Sequence, residues 1–367
     1  MLLIFSRNVG LKTWDKVGNL SRELTLYNKL IEKKIFKKIF FFTYDRQDVN
    51  FSKELKNQNV LSKDIFVFSP PINIRFKILN NFFCLFYFIF IFLKISNQVK
   101  IIKTNQIDGS YLGVLLKIFY KKKLYIRSGY NIIKRDKVLN FNFIKKYFNI
   151  LQFKLSLKFA DEISVSNLFE KRYYSIIHKK NPNLIYNYID TNLFYNFNEK
   201  RKNDFLYIGR ISKEKNISEI INVFKDNPKF NLDLYGQKKS SPDDINFVGS
   251  KNINFHDPVP NNLIPNLLNK YKFLILLSNF EGLSKTIIEG MSCGIFCVVS
   301  NLTENKFLIK NNLNGYILKK GSVLNLKDVL NSEKQNQEYI DYNMNFVHEY
   351  FSFEKYLERE ISILNKI

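Results

Sequence analysis

The stretch Ile275-Leu-Leu-Ser-Asn-Phe-Glu-Gly-Leu-Ser-Lys-Thr-Ile-Ile-Glu-Gly-Met-Ser-Cys-Gly-Ile-Phe-Cys-Val-Val-Ser300 decides how this chain is read. An apolar run ends at Ser278, a polar loop carries Glu281-Gly282-Leu283, and helical spacing then brings in Glu289. Gly290 permits close packing and Gly294 ends the helix before a second apolar run, Phe296 to Val299. Strand, loop, helix and strand in that order make one unit of a parallel sheet covered on both faces. The helix start turns unpaired N–H groups and a positive dipole end toward the loop, where a phosphate binds well. Glu281 is placed to hold a sugar hydroxyl, and Glu289 to accept from two vicinal hydroxyls such as those of a ribose. Either carboxylate alone reads more readily as a solvated helix-end charge; the combination carries the chemistry.

Upstream, Phe205-Leu-Tyr-Ile-Gly-Arg-Ile-Ser-Lys-Glu-Lys-Asn216 repeats the pattern. A strand ends at Ile208, Gly209 allows close backbone approach, and Arg210 and Lys215 stand on the loop before a helix. Two cations beside a glycine suit a diphosphate leaving group, whose developing charge they neutralise. A solvated basic turn is the plainer reading of a lone Gly-Arg pair.

The same alternation runs through the chain. Strands are expected at Leu2–Phe5, Ile39–Thr43, Ile65–Phe68, Val99–Lys103, Leu124–Arg127 and Glu162–Val165. After residue 195 they are expected at Phe205–Ile208, Asn231–Tyr235, Asn246–Val248, Phe273–Leu277 and Phe296–Val299. The polar segment Tyr195–Asn203 marks a join, so the expected domains are 1–194 and 195–345, with a helical tail over 346–367. The fold class expected is α/β: two Rossmann-like doubly wound domains facing a cleft, the C-terminal helix packing back on the first.

These motifs together resemble the donor-sugar domain of the retaining glycosyltransferases of family 4, the GT-B enzymes of the glycosyl transferases group 1. The resemblance rests on Gly209-Arg210 with Lys215, on the E-x7-E pair Glu281 and Glu289, and on the surrounding Ser278 and Gly290-Met291-Ser292-Cys293-Gly294. Ala160-Asp161, Ser166, Asn187-Tyr-Ile-Asp190 with Phe194, and Asn314-Gly315-Tyr316 extend it to roughly residues 160–320. It implies a metal-independent, hexosyltransferase-type enzyme that moves a sugar from a nucleotide-sugar to an acceptor hydroxyl with retention. The setting implied is cell-surface polysaccharide or lipopolysaccharide assembly. Arg210, Lys215 and Glu281 are the implied catalytic residues. Gly209, Arg210, Lys215, Glu281, Gly282, Leu283 and Glu289 are implied to bind the donor. Many members carry a His in the first domain; here His178, His256 and His348 all lie elsewhere. Gly18, Arg127, Ser128 and Tyr130 are the acceptor-side candidates, a structural turn being the alternative at each. The nucleotide-sugar is substrate, and no cofactor is expected.

Of 367 residues, 57 are Lys or Arg and 33 Asp or Glu, and the excess is lopsided. Residues 1–193 hold 34 basic against 13 acidic groups; the remainder hold 23 against 20. The resemblance implies a nucleotide-sugar donor and a carbohydrate or lipid-linked acceptor as partners; the charge asymmetry adds an expected anionic membrane surface at the basic half, and no nucleic acid is expected. The expected location is cytoplasmic, peripheral at the inner face of the membrane. The apolar run Phe82–Leu93, twelve residues, falls short of the roughly 20 that cross a bilayer as a helix. It reads either as a core element or as a segment lying at a membrane surface between Arg75, Lys77, Lys94, Lys100 and Lys103. Three cysteines exclude a disulfide scaffold, and Cys293 and Cys297 read as small buried residues rather than metal ligands. His256 reads as a solvated turn residue, so no metal is expected. The alternatives to a transferase are a nucleotide-sugar epimerase of the same fold and a non-enzymatic basic protein that binds membrane or nucleic acid.

Overall fold

The computed structural model describes residues 1–16, 18–72, 76–129, 132–133, 136, 143–237, 250–319, 322, 324–335 and 338–367. It divides into two compact units, residues 1–185 with 357–367, and residues 186–356. The join expected at 195 falls nine residues inside the second unit. The reason is that Tyr186, Tyr188 and Phe194 are buried there: Tyr186 stacks on Phe307 at 5.1 Å, Tyr188 packs on Phe353 at 4.9 Å, and Phe194 O accepts from Ser292 Oγ at 2.6 Å.

In the first unit the strands are β1 (Leu2–Ile4), β2 (Ile39–Phe42), β3 (Ile65–Phe68), β4 (Ile101–Thr104), β5 (Lys123–Ser128), β6 (Glu162–Val165) and β7 (Asn183–Leu184). They form one parallel sheet in the order β3-β2-β1-β4-β5-β6-β7. Strands β1, β2 and β3 are apolar at every position, as suits a parallel sheet covered by helices on both faces. Phe41 and Phe42 are fully buried on opposite faces, Phe41 against Tyr27 at 5.1 Å and Phe42 against Phe88 at 4.7 Å.

The second unit contains β8 (Lys202–Ile208), β9 (Leu232–Tyr235), β10 (Ile253–His256), β11 (Tyr271–Leu276), β12 (Phe296–Ser300) and β13 (Gly315–Leu318). Its parallel order is β10-β9-β8-β11-β12-β13. Both sheets thus reverse direction beside their first strand, the doubly wound arrangement expected. The strand expected at Asn246–Val248 lies outside the described residues. Strands β7, β10 and β13 were not among those expected: β7 has two residues and no period, and β10 and β13 carry polar or small residues at their ends in place of an apolar run.

The run Phe82–Leu93 is the middle of a longer helix, Lys77–Ile95. Its 20-residue window Leu79–Gln98 has a mean hydropathy of 1.7, long and apolar enough to cross a membrane by length and composition. This corrects the twelve-residue reading. The helix is also only half a core element. Cys84, Phe88, Phe92 and Ile95 are buried along one stripe, while Phe82, Phe86 and Phe90 are exposed along another.

The tail is two helices, Tyr339–Phe351 and Phe353–Lys366, separated at the extended residue Ser352. The second returns to the first unit from Leu357 onward. There Glu360 forms a fully buried ion pair with Lys103 of β4 and accepts from Tyr125 Oη at 3.1 Å. Lys103 is therefore not a surface cation flanking the apolar run, as its position in sequence suggested. Burial holds its ammonium below the usual lysine range, and Glu360 opposes that shift. Removing one partner strands the other charge in the core. Lys103→Met and Glu360→Gln are each expected to cost about 3–5 kcal/mol of stability, read as a lowered midpoint in urea unfolding. The double variant should recover much of the loss; single variants as stable as the parent would show that the pair does not hold the tail.

Candidate functional site

The sheet order of the second unit makes β8 and β11 neighbours, with Phe205 opposite Phe273 and Leu206 opposite Leu274. Two loops distant in sequence therefore leave the sheet side by side at the carboxyl ends of these strands. The first runs from Gly209 to Asn216, the second from Leu277 to Ser284. They are joined directly, since Asn279 N donates to Glu214 O at 2.9 Å. Lys215 Nζ and a carboxylate oxygen of Glu281 form an ion pair, with the side chains only 14% and 13% exposed. Ser278 Oγ donates to the same oxygen at 2.8 Å, which fixes the carboxylate as well as neutralising it.

The first loop is shaped by two glycines. Gly209 has φ +157°, and a Cβ there would lie 2.9 Å from Tyr207 Oη. Tyr207 itself donates to Arg210 O at 2.8 Å, and burial raises its phenol so that it stays a donor. At Gly236, just past β9, a Cβ would sit 1.8 Å from Gly209 O, so only glycine admits the loop in this path. Ile211 N donates to Gln237 O at 3.1 Å and closes the same turn. Arg210 extends outward, its side chain 66% exposed and 3.6 Å from Glu214. Between it and Lys215, Ser212 Oγ is buried with no hydrogen-bond partner among the described residues.

The second loop leads into the helix Lys285–Ser292, whose preceding residue Ser284 is extended and makes no side-chain cap. Leu283 is buried and anchors the loop, and Glu289 is buried within the helix. Gly290 brings this helix onto the sheet, since a Cβ there would meet Leu274 at 2.7 Å and Ile295 at 2.8 Å. Gly294 ends the turn at φ +75°. Arg201 then ties the helix end down. It donates to the carbonyl of Cys293 and, 2.8 Å away, to that of Leu268 at the end of the helix Ile264–Lys270.

Gly209, Arg210, Lys215, Glu281, Gly282, Leu283 and Glu289 therefore all fall on two adjacent loops and the helix that follows them. Sequence reasoning missed Gly236 and Arg201. A glycine directly after a strand was the readable signal for the first. Arg201 lay in a segment read as a linker. His256 stacks on Tyr235 at 4.3 Å and lies 3.5 Å from Asp233, at the far side of the sheet from Glu281 in strand order. Cys293 and Cys297 are buried and free, and burial pushes the Cys293 thiol up to about 12, so neither is a nucleophile near neutrality. Among the described residues no three His, Cys, Asp or Glu converge as metal ligands.

The first-unit candidates do not form one cluster. Gly18 has φ +66° and its N–H goes to Asp15 O, so it ends the helix Leu11–Lys16 instead of opening it. The close approach in that region is at Gly10, where a Cβ would strike Asp48, the acceptor for Leu11 N and Lys12 N. Ser128 is fully buried and accepts from Tyr174 Oη at 2.9 Å, which ties the end of β5 to the helix Leu168–His178. Arg127 lies on β5 close enough to Lys103 to lower that ammonium further. Tyr130 lies outside the described residues.

With this geometry established, comparison with known proteins is informative. Residues 189–345 match the family Glycosyl transferases group 1. Solved structures match along the whole chain. The Anabaena protein HepE, crystallised with UDP and glucose, has a TM-score of 0.74 at 15% identity, covering 100% of both chains. Sucrose-phosphate synthase from Thermosynechococcus elongatus has a TM-score of 0.77 at 14% identity, covering 100% of this chain and 98% of that one. At such identities the likeness is one of fold, and that fold is the two-unit GT-B type. An Escherichia coli UDP-Gal:alpha-D-GlcNAc-diphosphoundecaprenol alpha-1,3-galactosyltransferase is 39% identical over 57 residues. That stretch is 16% of this chain and spans only 15% of the relative's length. A Klebsiella pneumoniae protein encoded in a cps region is 21% identical over 244 residues, 60% of this chain and 67% of the relative.

The contact between Gly209 and Gly236 is open to a direct test. Gly236→Ala forces the first loop away from its path and is expected to lower stability by about 1–3 kcal/mol, measured by thermal unfolding. An alanine variant with the parent's midpoint would mean that the loop has room this geometry denies.

Proposed function

We propose that this chain is a retaining glycosyltransferase that moves a sugar from a nucleoside-diphosphate sugar to an acceptor hydroxyl. The single observation that carries the reading is the Lys215–Glu281 pair, held between two loops at adjacent strand ends with Arg210 on the same loop. In this reading Lys215 and Arg210 take the diphosphate, Glu289 the ribose hydroxyls, and Glu281 a hydroxyl of the donor sugar. The backbone at Gly209 approaches the diphosphate because no side chain intervenes. The orphan Ser212 hydroxyl supplies a donor that a bound anion would satisfy.

The reaction breaks the bond between the anomeric carbon and the terminal phosphate oxygen. A new bond to the acceptor oxygen forms on the same face, and the acceptor's proton passes to a phosphate oxygen. The two cations stabilise the charge left on the diphosphate, so in this reading no metal is required. The match to the Glycosyl transferases group 1 family over residues 189–345 supports transferase chemistry. The galactosyltransferase and cps-region relatives support an acceptor in surface polysaccharide or lipopolysaccharide assembly; in this reading it is met at the cytoplasmic side.

A panel of nucleotide-sugars in a thermal-shift assay, with UDP-glucose and UDP-galactose first, is expected to yield one selective stabiliser. With that donor, Lys215→Ala and Arg210→Ala should each lower kcat about a hundredfold or more. Glu289→Ala should weaken donor binding by about tenfold or more. Variants that turn over the donor as the parent does would overturn the assignment. Release of an epimerised nucleotide-sugar without any acceptor would favour the epimerase instead.

A further inference from the structure

The helices that connect β3 to β4, β4 to β5, β5 to β6 and β6 to β7 are Lys77–Ile95, Ser110–Tyr120, Phe143–Phe159 and Leu168–His178. All four connections step the same way across a parallel sheet, so right-handed crossovers lay the helices on one face. Their contacts show a continuous layer. Phe92 meets Tyr120 at 5.0 Å, Ser110 bonds Ser156 at 2.6 Å, and Phe153 meets Tyr174 at 5.4 Å.

The outer surface of this layer is not that of an ordinary soluble domain. Phe82, Phe86 and Phe90 stand 54–67% exposed along the first helix. Phe119 is 72% exposed at the end of the second, and Phe143 and Ile144 about 80% exposed at the start of the third. Exposed aromatic and aliphatic side chains on three neighbouring helices of one layer are more than single scattered residues and mark an interaction face. The same stretch is strongly basic, residues 76–180 holding 20 Lys+Arg against five Asp+Glu. Because each helix runs back from the carboxyl ends of the strands, its last turn lies at the edge where the strands begin. Exposed lysines gather at that edge: Lys94, Lys121, Lys123, Lys158 and Lys179, with exposed Lys154 one turn before Lys158 on the same helix.

We propose that this helical face of the first unit docks on a lipid bilayer bearing anionic headgroups, with the helix Lys77–Ile95 lying in the plane of the interface. Apolar side chains enter the acyl boundary while lysines at the rim meet the headgroups, the pairing that interfacial segments use. A second copy is the poorer occupant. The unit carries 36 Lys+Arg against 14 Asp+Glu, and two such faces repel. A nucleic acid would satisfy the lysines but leave the phenylalanines in contact with phosphate and water. The helix is long enough to cross a membrane, yet its buried stripe binds it lengthwise to the sheet. Phe88 stacks on Phe42 and meets Tyr44 edge-on at 5.3 Å. Crossing would require that stripe to leave the core.

The test is co-sedimentation of the full chain with vesicles of phosphatidylcholine alone or mixed equally with phosphatidylglycerol. Binding is expected to the mixed vesicles, with release by salt. Phe86→Glu/Phe90→Glu should weaken it about tenfold or more, and Lys154→Gln/Lys158→Gln by about tenfold. All three native cysteines are buried, so Phe86→Cys offers one accessible thiol for an environment-sensitive fluorophore. Its emission should shift to the blue on mixed vesicles, a readout that lost folding would not produce. Equal binding to neutral and anionic vesicles overturns the headgroup half of the proposal. An unshifted probe overturns the insertion half. Concentration-dependent dimerisation abolished by Phe86→Glu would assign the face to a second copy, and vesicle-independent RNA binding abolished by Lys154→Gln/Lys158→Gln would assign it to nucleic acid.

Discussion

Pairing of β8 with β11 is the constraint on which the second unit depends. These strands are separated by two others in sequence, yet they are adjacent because the winding reverses at β8. Their loops must then emerge together, and everything polar in the candidate site follows. The backbone bond from Asn279 to Glu214, the Lys215–Glu281 pair and the hydroxyl of Ser278 all span that one seam. A parallel sheet sends every loop of this kind to the same edge, so cations and carboxylates far apart in the chain become neighbours without any long-range recognition of their own.

The first unit uses its charge in two opposed ways. Lys103 is removed from water entirely and paired with Glu360, which makes the returning tail part of that unit's core. Most of the remaining lysines stay on the surface, several of them around an apolar helical face. An ion pair in the core needs its partner at close range, whereas surface lysines around exposed aromatics need a partner that supplies both apolar depth and negative charge. The same residue type in the same basic stretch therefore answers to two different physical demands, and only burial separates them.

Legibility followed the length of the pattern. Strands such as Ile39–Phe42 and Phe296–Ser300 were readable because an apolar run bounded by turn residues has few other structures open to it. Asn183–Leu184 was not, since two residues have no period. At the site, Gly209, Arg210, Lys215, Glu281 and Glu289 were legible because each sits at a strand end or the helix start after it, where residue type carries meaning. Gly236 follows a strand as Gly209 does, yet that position alone does not show why glycine is required there. Its requirement comes from the carbonyl of Gly209 on a neighbouring strand, a distance no local window contains. Ser128 shows the converse: its strand-end position was legible, but its bond from the phenol of Tyr174 comes from a helix residue 46 positions further on, which no local window contains. The apolar run was misjudged because the counted stretch stopped at Phe82, while Lys77–Asn81 continue the helix with residues that are not uniformly apolar.

The Lys215–Glu281 pair also bears on how a donor would be chosen under the proposed reading. Without ligand, the carboxylate neutralises the ammonium, and both are largely withdrawn from water. A diphosphate arriving at Lys215 brings its own negative charge close to Glu281, and two anions sharing one cation repel. Repulsion is relieved if the carboxylate turns part of its capacity to a neutral donor group, which a sugar hydroxyl provides and a bare nucleoside diphosphate does not. Ser278 keeps one oxygen of Glu281 in place meanwhile, leaving the other to accept. The pair would then favour the intact nucleotide-sugar over its spent nucleotide by withholding full neutralisation from the latter. Such a preference arises from where a carboxylate is fixed, and needs no contact that reads the sugar by shape.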